Sequence, residues 1–192
     1  MSIKPGTGRK SDKTMGKIQL PVEHEISLWL DTYDDIFSDF DPRPYSERAL
    51  SDDFLAEAKR ATRDKPTGAI ELKLLLPEAQ RNINQENIIK HRLKEHFQKH
   101  NREFKRKRKE LALQGIAFVL LGVALMFIAS LILFKTGEDS LGRSFLIVLF
   151  EPAGWFLFWE GLNLVIFESK KIQPDYLFYD KMSRSQTQFN TY

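Results

Sequence analysis

Two long apolar segments lie close together in the second half of the chain, separated by a short polar loop. The first, Gly115 to Phe134, has no charged residue and as a helix would extend about 30 Å, the thickness of the hydrocarbon core of a bilayer. The second, Ser144 to Phe167, is longer and contains two glutamates, a proline and an asparagine. The pattern predicts a hairpin of two transmembrane helices. A buried hairpin in a soluble protein is the alternative, which is disfavoured because the first run is too long for an ordinary core helix.

Shorter periodic segments before the hairpin predict a small α/β domain over residues 18–84. Alternating apolar residues predict a first strand in residues 18–22 or 26–30, of which we favour the second. Ser51 followed by two aspartates predicts a helix that runs to about Arg63, and the acidic, proline-containing stretch before it predicts a structured loop. Residues 70–76 alternate again, so this order predicts a parallel strand-helix-strand unit.

So small a sheet has unpaired edges, and we expect another strand to complete it. A neighbouring subunit is one source of that strand. The other is the C-terminal tail, where Thr187, Phe189 and Thr191 alternate with polar residues.

Residues 85–110 predict a highly charged stalk helix. No proline or glycine occurs between Gln85 and Gly115, so the stalk should continue directly into the first apolar helix. Its apolar stripe is too narrow for deep burial, and we expect it to pack on the small domain or against a partner stalk; the stripe consists of Ile89, Leu93, Phe97 and Phe104. After the second apolar segment, Pro174 and Asp175 predict the start of a short helix.

The predicted fold is therefore an α+β membrane protein, in which a small cytoplasmic strand-helix-strand domain is joined by a long stalk helix to a two-helix transmembrane hairpin. The predicted segments are a disordered basic tail (1–17), the α/β domain (18–84), the stalk (85–110), the first transmembrane helix (111–134), an external loop (135–143), the second transmembrane helix (144–168) and a cytoplasmic C-terminal tail (169–192).

The composition of the 192 residues limits the class of protein further. A charged fraction of 29% and a mean hydropathy of -0.36 resemble a soluble protein, because the average hides how strongly the apolar residues are segregated. The residues outside the hairpin suffice for one small domain, which excludes a large multidomain enzyme. The chain contains no cysteine, so it has neither disulfides nor thiolate ligands. The N-terminal residues lack an apolar stretch, and we expect no cleaved secretory signal.

The orientation of the hairpin follows from its flanking basic residues, because cytoplasmic ends of membrane helices carry an excess of Lys and Arg. Residues 101–110 contain six basic and two acidic residues, and Lys170 and Lys171 follow the second segment. In the connecting loop, two basic residues are balanced by two acidic ones. Both termini are therefore predicted to be cytoplasmic.

The basic run of the stalk is a candidate contact for anionic lipid headgroups. It either only determines topology or also recognises lipids, and each cation near such a surface contributes about 1 kcal/mol of attraction. Nucleic acid is not an expected partner, because a patch held against the bilayer has little open face for a duplex. The candidate residues are Arg102, Lys105, Arg106, Lys107, Arg108 and Lys109.

The stretch from Asp31 to Asp53 is strongly acidic, with eight carboxylates and two arginines. Its aspartates either cap turns and pair with nearby arginines, form a docking surface for a protein partner, or bind Mg²⁺ or Ca²⁺ through oxygen ligands. The spacing does not match an EF-hand loop, and the first alternative is favoured. The candidate partner surface comprises Asp39, Asp41, Arg43, Tyr45 and Arg48.

Three polar residues in the second apolar segment are candidates for a site within the membrane: Glu151, Glu160 and Asn163. The two glutamates are nine residues apart and lie on opposite helix faces, whereas Glu160 and Asn163 share one. Glu160 and Asn163 therefore line a polar seam between subunits, a proton path or a cation pore. The alternative is that the polar residues of this segment have only an interfacial role. Small residues repeat every seven positions in both segments and predict close packing within the hairpin.

The sequence offers no sign of an enzyme or of a cofactor. His96 and His100 have a spacing that suits a metal, but no third ligand is near them. No catalytic triad order, phosphate-binding loop or nucleotide fingerprint occurs. We therefore expect neither a cofactor nor a metal.

Four stretches together resemble a family of bacterial two-span inner-membrane proteins of uncharacterised function. They are IFSDFDPRPYSERALSDDF, the strand ending in LLLP, the helix containing EHF, and PAGWFLFWEGLNLVIF, and the resemblance extends from about Leu28 to Met182. The resemblance implies a bacterial inner-membrane location and the arrangement of segments given above. It does not imply a mechanism. The chain departs from the family after Trp159, where Glu-Gly stands in place of a residue followed by proline.

The function predicted from the sequence is that of a non-enzymatic inner-membrane scaffold or sensor that forms a homo-oligomer. The alternative is a small oligomeric cation or proton channel that uses Glu160 and Asn163.

Overall fold

The computed structural model describes residues 24–65, 70–135 and 140–192. The predicted basic tail and the alternative first strand at residues 18–22 lie outside these ranges. The described residues form an α+β fold that combines a small parallel sheet with long helices.

The sheet has three strands, β1 (His24–Trp29), β2 (Ile70–Leu76) and β3 (Gln186–Thr191), in the order β1-β2-β3. Both pairings are parallel, which confirms the parallel strand-helix-strand prediction. Of the two sources that the sequence left open, the C-terminal tail supplies the third strand. Because β2 has a neighbour on each side, its backbone groups are paired along both edges.

The register places all the core residues of the sheet on one face. Ile26 of β1 lies opposite Leu72, and Leu74 lies opposite Phe189 of β3. Alternate residues of β2 are fully buried, as the period of two predicts. The other face is polar around Lys73 and apolar at one end, where Trp29 lies opposite Leu75.

Helix α1 (Asp52–Arg63) connects β1 to β2, and its observed bounds confirm the prediction. Phe54 and Ala58 point into the core, as expected. Thr62 is also buried, because its hydroxyl donates a hydrogen bond to the Lys59 carbonyl within the same helix. A threonine can thus occupy the buried face without an unsatisfied group.

Helix α2 (Ile83–Phe134) is a single helix of 52 residues, about 78 Å long. Asn82 caps its start, because the Asn82 side chain accepts hydrogen bonds from the amides of Asn84 and Gln85. The predicted stalk therefore continues without a break into the first apolar segment.

The expectation that the stalk stripe is only shallowly buried is wrong. Ile89 and Leu93 are 0% exposed and Phe97 is 1% exposed. All three belong to the same core cluster as the sheet and as Phe178 and Met182 from the C-terminal region. A narrow apolar stripe can be fully buried here because the sheet covers one side of it and a second helix covers the other.

That second helix is the continuation of the second apolar segment. Helix α3 (Leu141–Asn163) passes through a π-helical turn (Leu164–Glu168) into helix α4 (Ser169–Ser183). The prediction that a new helix begins at Pro174 is wrong, since Pro174 lies inside α4. Packing holds α4 in line: the Phe178 ring meets the Phe97 ring edge to face at 5.9 Å.

The described residues thus include two helices that are long and apolar enough to cross a membrane, Ile83–Phe134 and Leu141–Ser183. Only 11% of the most apolar window of each is buried within the chain, unlike the core helix of a soluble protein. Large side chains such as Leu120 and Phe156 are exposed there. The apolar surface is compatible with a membrane protein.

Candidate functional site

The two apolar helices meet along a seam of glycines. Gly115 faces Gly161, and Gly122 faces Gly154 one heptad further along. A Cβ atom at Gly161 would lie 2.5 Å from the Gly115 carbonyl oxygen, and one at Gly122 would lie 2.6 Å from that of Gly154. The backbones therefore touch, and the prediction that the small residues close the hairpin is confirmed.

The three candidate polar residues of the second apolar helix lie beside this seam. Glu160 and Asn163 are half-buried, whereas Glu151 is exposed next to Pro152 and Trp155. None of the three side chains has a hydrogen bond or an ion pair with any residue in the described ranges. In a hydrocarbon environment such groups require a partner from outside the described residues.

The π-helical turn Leu164–Glu168 begins directly after Asn163. The Ser169 hydroxyl donates a hydrogen bond to the Leu164 carbonyl oxygen at 3.3 Å. This bond gives a hydrogen-bond partner to a carbonyl group at the start of the turn. A π turn changes which residues face the neighbouring helix, and such turns are frequent at functional sites. The turn separates the glycine seam from the core contacts of α4.

The basic run of the stalk lies on the exposed part of α2. Lys105 pairs with Asp180 at 3.3 Å, and the Arg108 guanidinium lies 5.3 Å from the centre of the Tyr176 ring. All six candidate side chains are exposed, so their charges are available to headgroups: Arg102, Lys105, Arg106, Lys107, Arg108 and Lys109.

The acidic loop is held together by its own aspartates. Asp34 accepts hydrogen bonds from Arg48 at 2.6 Å and from the Tyr45 hydroxyl at 3.2 Å. The Asp35 carboxylate accepts from the Asp31 and Thr32 amides at 2.7 and 3.0 Å, which caps a short 3-10 helix (Tyr33–Ile36). Carboxylates of this loop thus cap a turn and pair with an arginine, as the favoured alternative predicts.

Asp41 is the most heavily bonded carboxylate of the loop. It accepts from the Arg43 guanidinium at 2.7 Å and from the Ala49 amide at 2.7 Å. These donors, Arg43 first, hold the pKa of Asp41 well below its usual range. Asp39 is exposed, and the adjacent Phe40 side chain is 97% exposed. The candidate partner surface is thus a stabilised loop that presents one aromatic ring to solvent.

Sequence reasoning missed a buried ion pair at the start of α2. Glu86 is only 3% exposed, and it accepts hydrogen bonds from Arg81 at 2.8 and 3.0 Å. Tyr33, which lies 53 positions earlier, also donates to Glu86, and its hydroxyl accepts from the Asn82 amide. Arg81 is the main reason that the pKa of Glu86 lies below its ordinary value. No local pattern could reveal a pair that depends on Tyr33.

His96 packs among aromatic rings of α2 and α4, a packing role that its spacing to His100 did not indicate. Its Nε2 atom is buried without a hydrogen-bond partner in the described chain, and burial lowers its pKa to about 4. The His96 ring lies against those of Phe97 and Tyr179. No group of three or more His, Asp or Glu side chains in the described ranges is placed to hold a metal ion.

Comparisons with protein-family models, with curated proteins and with solved structures find no match to this chain.

Proposed function

We propose that this protein is a non-enzymatic scaffold or sensor of the bacterial inner membrane, anchored by its hairpin and acting as a homo-oligomer. Its small α+β domain would lie in the cytoplasm with both termini. The resemblance noted in the sequence supports the bacterial location, and the two long apolar helices support the anchor.

The observation that carries the proposal is that both helices of the hairpin also build the core of the small domain. In α2, Phe97 belongs to that core and Gly115 belongs to the glycine seam. In the second helix, Gly161 lies in the seam and Met182 lies in the core. A shift of the two helices against each other in the membrane would therefore change the packing of the domain directly, as a sensor requires.

The orientation rests on the distribution of basic residues. The exposed basic run precedes the hairpin, and Lys170 and Lys171 follow it. At the other end, Arg143 donates hydrogen bonds to the Ile132 and Leu133 carbonyl oxygens at 3.1 and 2.9 Å, and so it caps the end of α2. The exposed basic side chains are concentrated at the proposed cytoplasmic side, where anionic lipids would be their partners.

The homo-oligomer is supported by the polar groups of the second helix. Glu160 and Asn163 lack partners within the described chain although they lie near the seam. A second copy that packs on this face would supply hydrogen bonds and remove the carboxyl group from lipid. A further protein partner would use the acidic loop around Asp39 and Phe40.

The coupling between hairpin and domain is tested by Gly161→Ala in full-length protein in nanodiscs. The added methyl group has to displace backbone atoms of α2, so amide hydrogen exchange should become faster in α4 and β3. Gly142→Ala is the control, because nothing lies within 4 Å of a Cβ atom there. If exchange rises only in the apolar helices and remains unchanged in β3, the sensor proposal fails.

A channel is the second candidate function, because Glu160 and Asn163 lie on one helix face without partners in the described chain. Ion flux into liposomes that contain the pure protein distinguishes the two candidates. Flux that disappears in Glu160→Ala while the oligomer persists would favour the channel. Absence of flux with every cation tested, protons included, would leave the scaffold or sensor.

A further inference from the structure

A cleft of about 730 Å³ lies along the hairpin, between the two apolar helices. Its residues from α3 are Val148, Glu151, Pro152 and Trp155, which share one helix face because they are three or four positions apart. Met126 of α2 lines the opposite side. Val148 and Trp155 are 70% and 56% exposed, so the cleft opens to the surroundings of the hairpin.

The glycine seam fixes the depth of Glu151 within the hairpin. Gly122 faces Gly154 on the antiparallel helix, so Glu151, three residues before Gly154, lies level with Leu125, three residues after Gly122. Leu125 is in the middle of the charge-free segment Gly115 to Phe134, about 14 Å from either end. A glutamate side chain is too short to reach either end. In the proposed membrane, its carboxyl group therefore lies near the centre of the hydrocarbon core.

Neither this chain nor a second copy inserted in the same direction has a positive charge at this depth. The two apolar segments contain no Lys, Arg or His. Arg143 lies about 12 Å along the helix from Glu151, and its side chain donates to the Ile132 and Leu133 carbonyl oxygens. Glu151 has no hydrogen bond or ion pair with any residue in the described ranges. Because an isolated carboxylate at the bilayer centre is costly, its counter-charge must come from a different molecule.

The chemistry of the cleft suits an organic cation better than a metal ion. Among the described residues that line it, Glu151 alone has a side-chain oxygen, whereas Ca²⁺ and Mg²⁺ take about six or more oxygen ligands. Trp155 lies one turn from Glu151, and indole is the ring that attracts cations most strongly. Pro152 has no amide hydrogen, so the Val148 carbonyl oxygen lacks the donor that an uninterrupted helix would provide. A carboxylate, an indole and this carbonyl all favour positive charge.

We propose that this cleft binds a lipophilic organic cation, a quaternary ammonium or phosphonium with apolar substituents, that enters from the membrane. Glu151 supplies the counter-charge, Trp155 attracts the cation through its ring, and Met126 and Val148 contact the apolar substituents. The proposal rests on the membrane location proposed above. It names the chemical class of ligand that the proposed sensor would detect.

The test measures equilibrium binding of tritiated tetraphenylphosphonium to full-length protein in phosphatidylcholine nanodiscs, with empty nanodiscs as the blank for partition into lipid. Glu151→Gln keeps the size of the side chain and should weaken saturable binding about tenfold or more. Glu110→Gln is the matched control, because Glu110 is exposed just before the first apolar segment and pairs with Arg106. It removes the same charge without touching the cleft.

A second pair of variants tests the aromatic contact. Trp155→Leu should weaken binding about fivefold, the effect of one lost cation–π contact. Phe156→Leu is its control, because Phe156 is the next residue and is exposed outside the cleft. Tetraphenylborate, an anion of the same shape, should show no saturable binding.

The proposal is overturned if wild-type protein binds no more tetraphenylphosphonium than empty nanodiscs, or if Glu151→Gln binds as tightly as Glu110→Gln. Equal binding of tetraphenylborate would also overturn it, because the cleft would then select apolar bulk and not charge. Failure of the wild-type chain to enter nanodiscs would overturn the membrane location, and this proposal with it.

Discussion

The glycine seam allows a sharp prediction for Gly122→Ala. The new Cβ atom would lie 2.6 Å from the Gly154 carbonyl oxygen and 2.6 Å from the Phe158 amide nitrogen. Both are backbone atoms and cannot rotate away. Because ordinary contacts begin near 3.4 Å, the helices must separate by about 0.8 Å, and overpacking of this kind costs about 1–3 kcal/mol.

The free energy of unfolding can be measured by titration of the protein in mixed micelles with SDS, with the fluorescence of Trp155 and Trp159 as the signal. Gly142→Ala again serves as the control, since it also replaces a helical glycine by alanine but places the methyl group where nothing lies within 4 Å. Single cysteines at the exposed positions 120 and 156 provide spin-label pairs that report the spacing, because the chain has no cysteine of its own. If Gly122→Ala unfolds like Gly142→Ala and keeps the same spacing, the close contact described here is incorrect.

Three further predictions concern the small domain, and pulse proteolysis of the membrane-reconstituted chain in urea measures each free energy of unfolding. Glu86→Ala should lower the free energy of unfolding by about 3 kcal/mol, because it leaves Arg81 without its buried counter-charge. In the wild type, the stabilisation by this pair is complete above the ordinary pKa of Glu86. It is lost as the pH falls through the lower pKa that Glu86 has in the folded chain. Since the pKa of His96 is lowered to about 4, the unfolded chain binds the extra proton, and stability should fall as the pH drops from about 6.5 to 4. His96→Leu should flatten that part of the profile, and His91→Leu, at an exposed position, should not. Phe189→Ala should cost about 3 kcal/mol, because it empties a site in the core, while Gln188→Ala on the open face should change little.

The elements that the sequence predicted well are those with a strong local pattern. The four buried residues of β2 alternate over seven positions, and α1 begins after a serine and two aspartates. The second apolar segment was harder to delimit, because Pro174 normally favours a helix start. Here the core contacts of Phe178 and Met182 keep one helix continuous across it, and nothing in the local sequence reports those contacts.

The candidate site residues also divide into those that a local pattern reveals and those that depend on contacts between distant parts of the chain. The basic run of the stalk and the polar residues Glu151, Glu160 and Asn163 could be found from sequence, because charge and an apolar background are visible residue by residue. The role of Glu86 could not. Its partner Tyr33 lies 53 positions away, so only the folded chain brings the two together.

The sequence by itself determined the hairpin, the stalk that enters it and the small residues that close it, because each depends on composition or period within one segment. Only the tertiary structure decided that the end of the chain returns to complete the sheet and that both long helices belong to the hairpin and to the core. The physical reason is that a periodic pattern identifies which face of an element is buried, but the partner that covers this face is chosen by contacts between distant parts of the chain.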